Sequence, residues 1–442
     1  MNAIGRLYQS EKRMRTSFLH KQASPSNPGA KDSEKKIVHS PGGMDEPQHA
    51  HDGRAESSYR VVRYSRIFRS IAISFSTLAL PLYMSQLGYS AVIIGLSFFA
   101  MAVITVVLLL FYGFIGDRKG YRTSLLIAES LFAVSMIVIA LFSNFYIILA
   151  AAALGGFGGQ GGGGLRGGFS PGLTALVGKL FADSESRIKR IGELTAVGGI
   201  ASVAGQGLLA LHSTLQAHVG AVEAFRILYF AAFFFSVASL LMLLKVWEPA
   251  ATKKKGLLRR QSTRFVSKVS VANFVNGLGI GMAIPLLPLW FKIHFGLDPT
   301  QISVVYICSS IAGVAASLNA HRFSKAANRI KVGSLTRVLN GALLVSMAFP
   351  GTALAASALY VARSFGAGVG APTRSAITLS GVSSDEFGAA TSITGVANRL
   401  AFGSSSIGGY LLTLMQDLPL EVGGVIQCVA GFLYYYLLRG TP

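Results

Sequence analysis

The chain has 442 residues, of which 51% are hydrophobic and only 13% charged, about half the charge of an average soluble domain, and its mean hydropathy is +0.52. Lysine and arginine number 40 against 19 acids, a net charge of +21, but these basic residues sit in a polar start and between long apolar runs, which marks membrane topology and excludes a nucleic-acid surface. An ordinary soluble enzyme is excluded too, and Cys308 and Cys428, both inside apolar runs, supply neither a disulfide framework nor a metal-ligand spacing.

Residues 1–62 carry no long apolar run, and Ser24 to Ala55 is rich in Pro, Gly, Ser and charged residues. Such a segment buries too little surface to fold, so a disordered tail is expected, and it lacks the apolar core of a secretory signal. From Arg66 onward the chain is a series of apolar segments about 20 residues long, enough to cross a bilayer. Twelve are expected, near 67–88, 91–112, 123–142, 145–177, 191–212, 224–246, 266–290, 301–320, 334–351, 354–379, 389–413 and 421–438. In lipid they must be helices, because only helices and closed barrels satisfy their own backbone. The connections on the tail's side hold 22 Lys and Arg, whereas the opposite connections hold two, Arg226 and Lys292. The positive-inside rule then places both termini and the central linker on the cytoplasmic side of the plasma membrane.

The linker at 247–265 divides the spans into six plus six, over residues 63–246 and 266–442. The halves echo one another. Pro171 in span four and Pro372 in span ten lie 201 residues apart, and Arg118 and Arg322, after spans two and eight, lie 204 apart. Duplicated halves commonly enclose a binding site at the bilayer midplane. The expected fold class is an all-α membrane protein with twelve transmembrane helices in two pseudo-symmetric six-helix bundles.

The connection after span two reads Gly113-Phe114-Ile115-Gly116-Asp117-Arg118-Lys119-Gly120-Tyr121-Arg122. Gly113 and Gly116 let helices approach closely, and Gly120 allows a tight turn. Asp117, an acid at a helix boundary, can sit against the positive start of another helix. The run resembles the G-x-x-x-D-R-x-G-x-R signature of the major facilitator superfamily, and with twelve spans and a basic linker the resemblance covers about residues 66–439. It implies a secondary transporter that moves a small solute by alternating access. With no nucleotide-binding motif in the chain, a gradient would drive it. It also implies that Asp117 faces the start of span eleven. Arg118 and Arg122 would join a cytoplasmic charge network that locks one access state, with Asp183, Glu185 and Arg187 as partners. The second-half copy, His321 to Lys325, keeps the basic charge and lacks the acid.

Ionisable groups inside spans are costly there and mark function. Arg363 lies about 14 Å into span ten at the helical rise of about 1.5 Å per residue, and Arg399 reaches a similar depth in span eleven. The resemblance implies that spans one, four, seven and ten line the cavity, which puts Arg363 on the substrate path and Arg399 behind it. Tyr83, Asn273, Asn276, Gln160 and Arg166 are further polar candidates on those spans, and each can equally join helices to one another. Spans one, seven, eight, ten and eleven contain no acid. Glu129 in span three is the candidate for proton coupling, with a structural pairing to a nearby Arg as the competing reading. Gly155 to Gly168 holds 10 Gly in 14 residues and lacks the Lys-Ser or Lys-Thr of a phosphate loop. It reads as close packing or as a broken, flexible cavity wall.

Midplane arginines without cavity acids favour an anionic or polar metabolite as substrate. Drug antiporters of the superfamily carry a Gly-Pro-rich signature in span five, and Gly198 to Gly207 keeps the glycines without the proline. A proton-coupled multidrug exporter is therefore the second reading, and a non-transporting sensor or scaffold signalling through the tail is the third. No nucleophile–base or metal constellation is apparent, and no cofactor is expected. The expected partners are a small-molecule substrate, a coupling proton or ion and the lipid bilayer, with a monomer sufficient for the fold.

Overall fold

Hydropathy over so much of the chain leaves helices as the way to satisfy the backbone. The computed structural model describes residues 48–158, 169–181, 183–249, 260–325, 329–380, 382 and 387–439, and among these it contains helices and no strand. The first bundle comprises α1 (Gln48–Gln86), α2 (Ala91–Lys119), α3 (Tyr121–Leu141), α4 (Phe145–Leu154), α5 (Phe169–Leu180), α6 (Ser184–Ala210), α7 (His212–Val219) and α8 (Ala221–Leu243). The second comprises α9 (Arg260–Ala283), α10 (Leu287–Phe295), α11 (Pro299–Lys325), α12 (Arg329–Ser346), α13 (Ala353–Ser380), α14 (Phe387–Ala401), α15 (Ser405–Leu414) and α16 (Leu418–Leu438).

Each of the twelve expected spans coincides with one helix or with two in succession. Among the described residues eight stretches are long and apolar enough to cross a membrane. The other four expected spans fall on α4 with α5, on α12, on α13 and on α14 with α15, which are interrupted or carry polar residues. Span seven is broken by a 3₁₀ turn at Ile284–Leu286, where Pro285 and Pro288 cannot donate to the preceding turn. Span eleven is broken by a similar turn at Phe402–Ser404. Gly296 ends α10 at φ 68°, the left-handed conformation that favours glycine.

The expected tail boundary at residue 62 is corrected, because residues 48–62 are helical. Ala55, Tyr59 and Val62 share one helical face and are buried with Leu173, Leu176 and Val177 of α5 and Leu243 of α8. Arg190 of α6 bridges to Glu56 at 2.7 Å, and Tyr59 donates to Glu193 at 2.7 Å. Residues 1–47, where the rest of the expected tail falls, lie outside the described residues, as do 159–168 within the glycine-rich run.

Candidate functional site

The two bundles meet where α2 packs on α15 and α6 packs on α11. At the first contact the backbones touch: a Cβ on Gly95 would lie 2.5 Å from the Ser405 carbonyl and 2.9 Å from Gly409 Cα. Ser405 Oγ donates to the Gly95 carbonyl at 3.2 Å. At the second, Gln206 Nε2 donates to Ser310 Oγ at 2.7 Å, Ser303 Oγ to the Gln206 carbonyl at 2.5 Å, and Thr300 Oγ1 to the Ala210 carbonyl at 2.7 Å. Lys292 of α10 donates to Ser85 of α1 at 3.1 Å. These groups lie near the start of α2 and α11 and near the end of α1, α6 and α10. They therefore latch the bundles together at the end remote from the linker.

The motif loop sits at the other end. Asp117 accepts from the Tyr121 hydroxyl at 2.6 Å, and the Arg118 guanidinium stacks 3.9 Å above the Phe114 ring centroid. Gly116 leaves room for the Tyr121 ring, and Gly120 takes φ 96°. Residues 383–386, which lead into span eleven, the expected partner of Asp117, lie outside the described residues. Asp183 accepts from the Ser186 amide as the N-cap of α6. The acid that organises the loop is Glu248, just after α8. It accepts from the Tyr121 amide at 2.9 Å, the Arg122 amide at 2.7 Å and Lys179 Nζ of α5 at 2.6 Å. The first amides of a helix lack intrahelical partners and carry positive partial charge, so a carboxylate there is favoured twice over. The Arg122 side chain donates to the Leu244 carbonyl at 2.6 Å. The motif thus ties spans three, four and six together at the linker.

Inside the first bundle Glu129 of α3 is fully buried and ion-paired with Arg69 of α1, whose guanidinium stacks 4.7 Å from the Phe132 ring centroid. Arg66, one turn earlier and also buried, lies within reach of both charges. Counting Arg66 and Arg69 with the basic tail misses this cluster. The signal is their i, i+3 spacing at the edge of span one, which puts both on the face that turns inward. Tyr83 is completely buried in the same bundle, its ring 5.6 Å from those of Phe225 and Tyr229. It packs the core.

In the second bundle Arg363 of α13 is buried among phenols. Its charge is within reach of Tyr306 of α11 and Tyr360 of α13, whose rings lie 5.1 Å apart, and Phe291 of α10 lies 6.4 Å from Tyr360. Among the described residues no carboxylate pairs with Arg363, and its Nε has no hydrogen-bond partner. Arg399 is nearly buried on α14, and Gly395, one turn earlier, leaves space for its guanidinium. Asn273 accepts from Arg337 of α12, so it joins helices, whereas the buried Asn276 side-chain oxygen has no partner among the described residues. Gln160 and Arg166 lie outside the described residues. Arg337, expected in a connection, is buried inside the bundle, and Arg374 lies half-buried close to it. Among the described residues no group of three His, Cys, Asp or Glu is placed to hold a metal.

Two six-helix bundles, closed against each other at one end and carrying buried guanidiniums between their helices, define a polytopic membrane transporter. The match to known proteins is of the same kind. The chain belongs to the Major Facilitator Superfamily, whose description matches residues 65–406 and again 269–441. It is 26% identical over 290 residues to the multidrug resistance protein MdtG of Salmonella arizonae, covering 61% of this chain and 67% of the relative. The MdtG of Escherichia fergusonii matches at 26%, covering 61% of this chain and 66% of that protein. The chain therefore spans about two-thirds of the length of these relatives. Among solved structures, the human organic anion transporter MFSD10 (TETRAN) superposes with a TM-score of 0.62 at 14% identity, over 88% of this chain and all of that one. The nucleoside transporter NupG does so at 0.66 and 11%, over 86% and 99%. These likenesses establish the fold.

Proposed function

We propose that this transporter moves a small organic anion, with Arg363 as the residue that receives the negative group. The observation that carries the reading is the setting of Arg363: a buried guanidinium whose charge reaches Tyr306 and Tyr360, with no carboxylate paired to it among the described residues. A guanidinium keeps its proton in any protein environment, and a buried charge without a counter-charge is costly. An incoming anion removes that cost, and the ring faces supply apolar contact for the rest of the solute. The end-on latch between the bundles corresponds to a state open toward the linker side. By the charge asymmetry of the connections, that side and both termini are cytoplasmic, in the plasma membrane. The chain works as a monomer in this reading, and substrate exchange proceeds as the latch at Gly95, Ser405, Gln206 and Ser303 opens and the motif loop closes.

The likeness to MdtG supports a second reading, export of drug-like solutes coupled to a proton, with Glu129 as the coupling acid. A thermal-shift screen of the purified protein in detergent separates the two. Ligands that bind the folded state raise its apparent stability by mass action. Small aromatic carboxylates should stabilise the parent chain and not Arg363→Gln. Stabilisation by lipophilic cations alone, equal in both proteins, would sink the anion reading.

A further inference from the structure

The second bundle contains two more guanidiniums that the transport path does not use. Arg337 of α12 and Arg374 of α13 lie close enough for their charges to act on one another, and both lie close to Tyr434 of α16. Arg337 stacks 4.2 Å above the Tyr434 ring centroid, donates to the Ala272 carbonyl at 3.1 Å and donates to Asn273 Oδ1. Arg374 makes a long hydrogen bond, 3.4 Å to Thr336 Oγ1. The Tyr434 hydroxyl is fully buried and, like the Arg337 Nε, has no hydrogen-bond partner among the described residues. Room for the Arg374 guanidinium exists because Gly370 has no side chain, since a Cβ there would collide with it.

Every unfilled group named here except the hydroxyl's lone pairs is a donor. The acids of the second half are Asp298, Asp385, Glu386, Asp417 and Glu421. Only Glu421 falls within an expected span, 13 residues from Tyr434 on α16 and so about 20 Å away at the helical rise of about 1.5 Å per residue, and Asp385 and Glu386 lie outside the described residues. Two positive charges that cannot be shed therefore face each other with no negative charge from the chain beside them among the described residues. Among the described residues nothing compensates the pair, and an anion from outside the chain fits it. We infer that Arg337, Arg374 and Tyr434 form a binding site for a phosphate-type oxyanion. A dianion matches the two charges, and the planar guanidinium forks match its oxygens. The site is distinct from the Arg363 path, being 11 residues further along α13, about 16 Å at the helical rise of about 1.5 Å per residue. Arg374 is half-buried whereas Arg337 and Tyr434 are buried, so the opening lies at Arg374. Free phosphate and the headgroup of a phospholipid in the adjoining leaflet present the same chemistry there.

Thermal shifts with sodium phosphate, against sodium chloride at matched ionic strength, read the free anion in the parent chain and in Arg363→Gln. Native mass spectrometry of protein extracted from phosphatidylglycerol-containing membranes reads a retained lipid. Phosphate should stabilise both proteins. Tyr434→Phe should weaken that response roughly tenfold, as loss of one hydrogen bond to a charged group does, and Arg374→Gln should abolish it. If the source is lipid, one phosphatidylglycerol should stay with the parent and be lost from Arg374→Gln. Either pattern supports the site and names its source. Equal shifts with chloride, no phosphate response and no retained lipid in the parent, or responses unchanged in both Arg374→Gln and Tyr434→Phe would overturn it. The Arg363→Gln arm separates failure of this site from failure of the transport reading.

Discussion

Replacing Glu129 by Gln removes the negative charge that Arg69 and Arg66 both face, while keeping the shape of the side chain. Both guanidiniums and the carboxylate are buried, so water cannot take over the lost interaction. Breaking a buried pair by removing one partner costs roughly 3–5 kcal/mol, because the other charge stays buried. Arg69→Met is the informative contrast. It gives up the stacking on Phe132, worth about 1 kcal/mol, and one charged hydrogen bond. It leaves Arg66 opposite Glu129, one charge of each sign, and the methionine buries well. About 2 kcal/mol is expected for that loss of a charge-assisted bond partly offset by apolar burial. Reversible unfolding of the purified chain in mixed micelles, titrated with sodium dodecyl sulfate, should therefore rank Glu129→Gln as the more damaging change. If Arg69→Met is equally or more destabilising, charge balance is not what organises this cluster. The same variants bear on coupling. Should Glu129 carry the proton, Glu129→Gln uncouples flux from a pH gradient and Arg69→Met leaves it coupled.

Gly120→Ala places a side chain on a residue at φ 96° and 2.8 Å from Glu248 Oε2, so about 1–3 kcal/mol of strain should appear as a lower apparent Tm. Glu248→Gln removes the charge shared by Lys179 and the first amides of α3, and should cost about 1–2 kcal/mol, read in the same melt. An unchanged melt would mean that the carboxylate is only a solvated linker group. Gly95→Val forces α2 away from Ser405 and Gly409 and should favour the state open at the far end. Distances between spin labels on α2 and α15 should lengthen, and an unaltered distribution would show that this contact does not latch the bundles.

The spans are legible in the sequence because membrane thickness sets their length, so each of the twelve falls on a helix or on two in succession. Of the motif glycines Gly120 is legible, because it stands where the backbone must turn with positive φ, whereas Gly113 faces open space and Gly116 faces the Tyr121 ring of its own loop and not another helix. The start of α1 is less so. A composition average over 1–62 hides the spacing of Ala55, Tyr59 and Val62, and it is the partners on α5 and α8 that make those few apolar residues sufficient. Arg66, Arg69, Arg337 and Arg374 are the harder case. An arginine within a few residues of a span end has the same sequence context whether it meets headgroups or turns inward. The distinction lies in which neighbours lack side chains, as at Gly370, and in which rings receive the guanidinium, as at Phe132 and Tyr434. Glu248 is similar, a linker acid whose meaning depends on the start of α3 lying beside it.

The internal duplication sharpens the contrast between the two bundles. Arg69 on span one and Asn273 on span seven lie 204 residues apart, the same separation as Arg118 and Arg322. Each bonds to a residue on the third helix of its own half: Arg69 to Glu129, Asn273 to Arg337. The cation has changed helix and the acid has become an amide. The first half thus sets a carboxylate against its buried guanidiniums, and among the described residues the second half does not. Asn273→Asp tests this directly, since it restores a carboxylate of the same shape against Arg337. With a guanidinium already buried there, the added charge completes a pair rather than creating a lone ion, and about 1–2 kcal/mol of stabilisation is expected from a charge-assisted bond in place of a neutral one. The variant should melt at a higher temperature than the parent and should lose its response to phosphate. A lower melting temperature would show that Arg337 is already fully compensated by the Ala272 carbonyl and the Tyr434 ring.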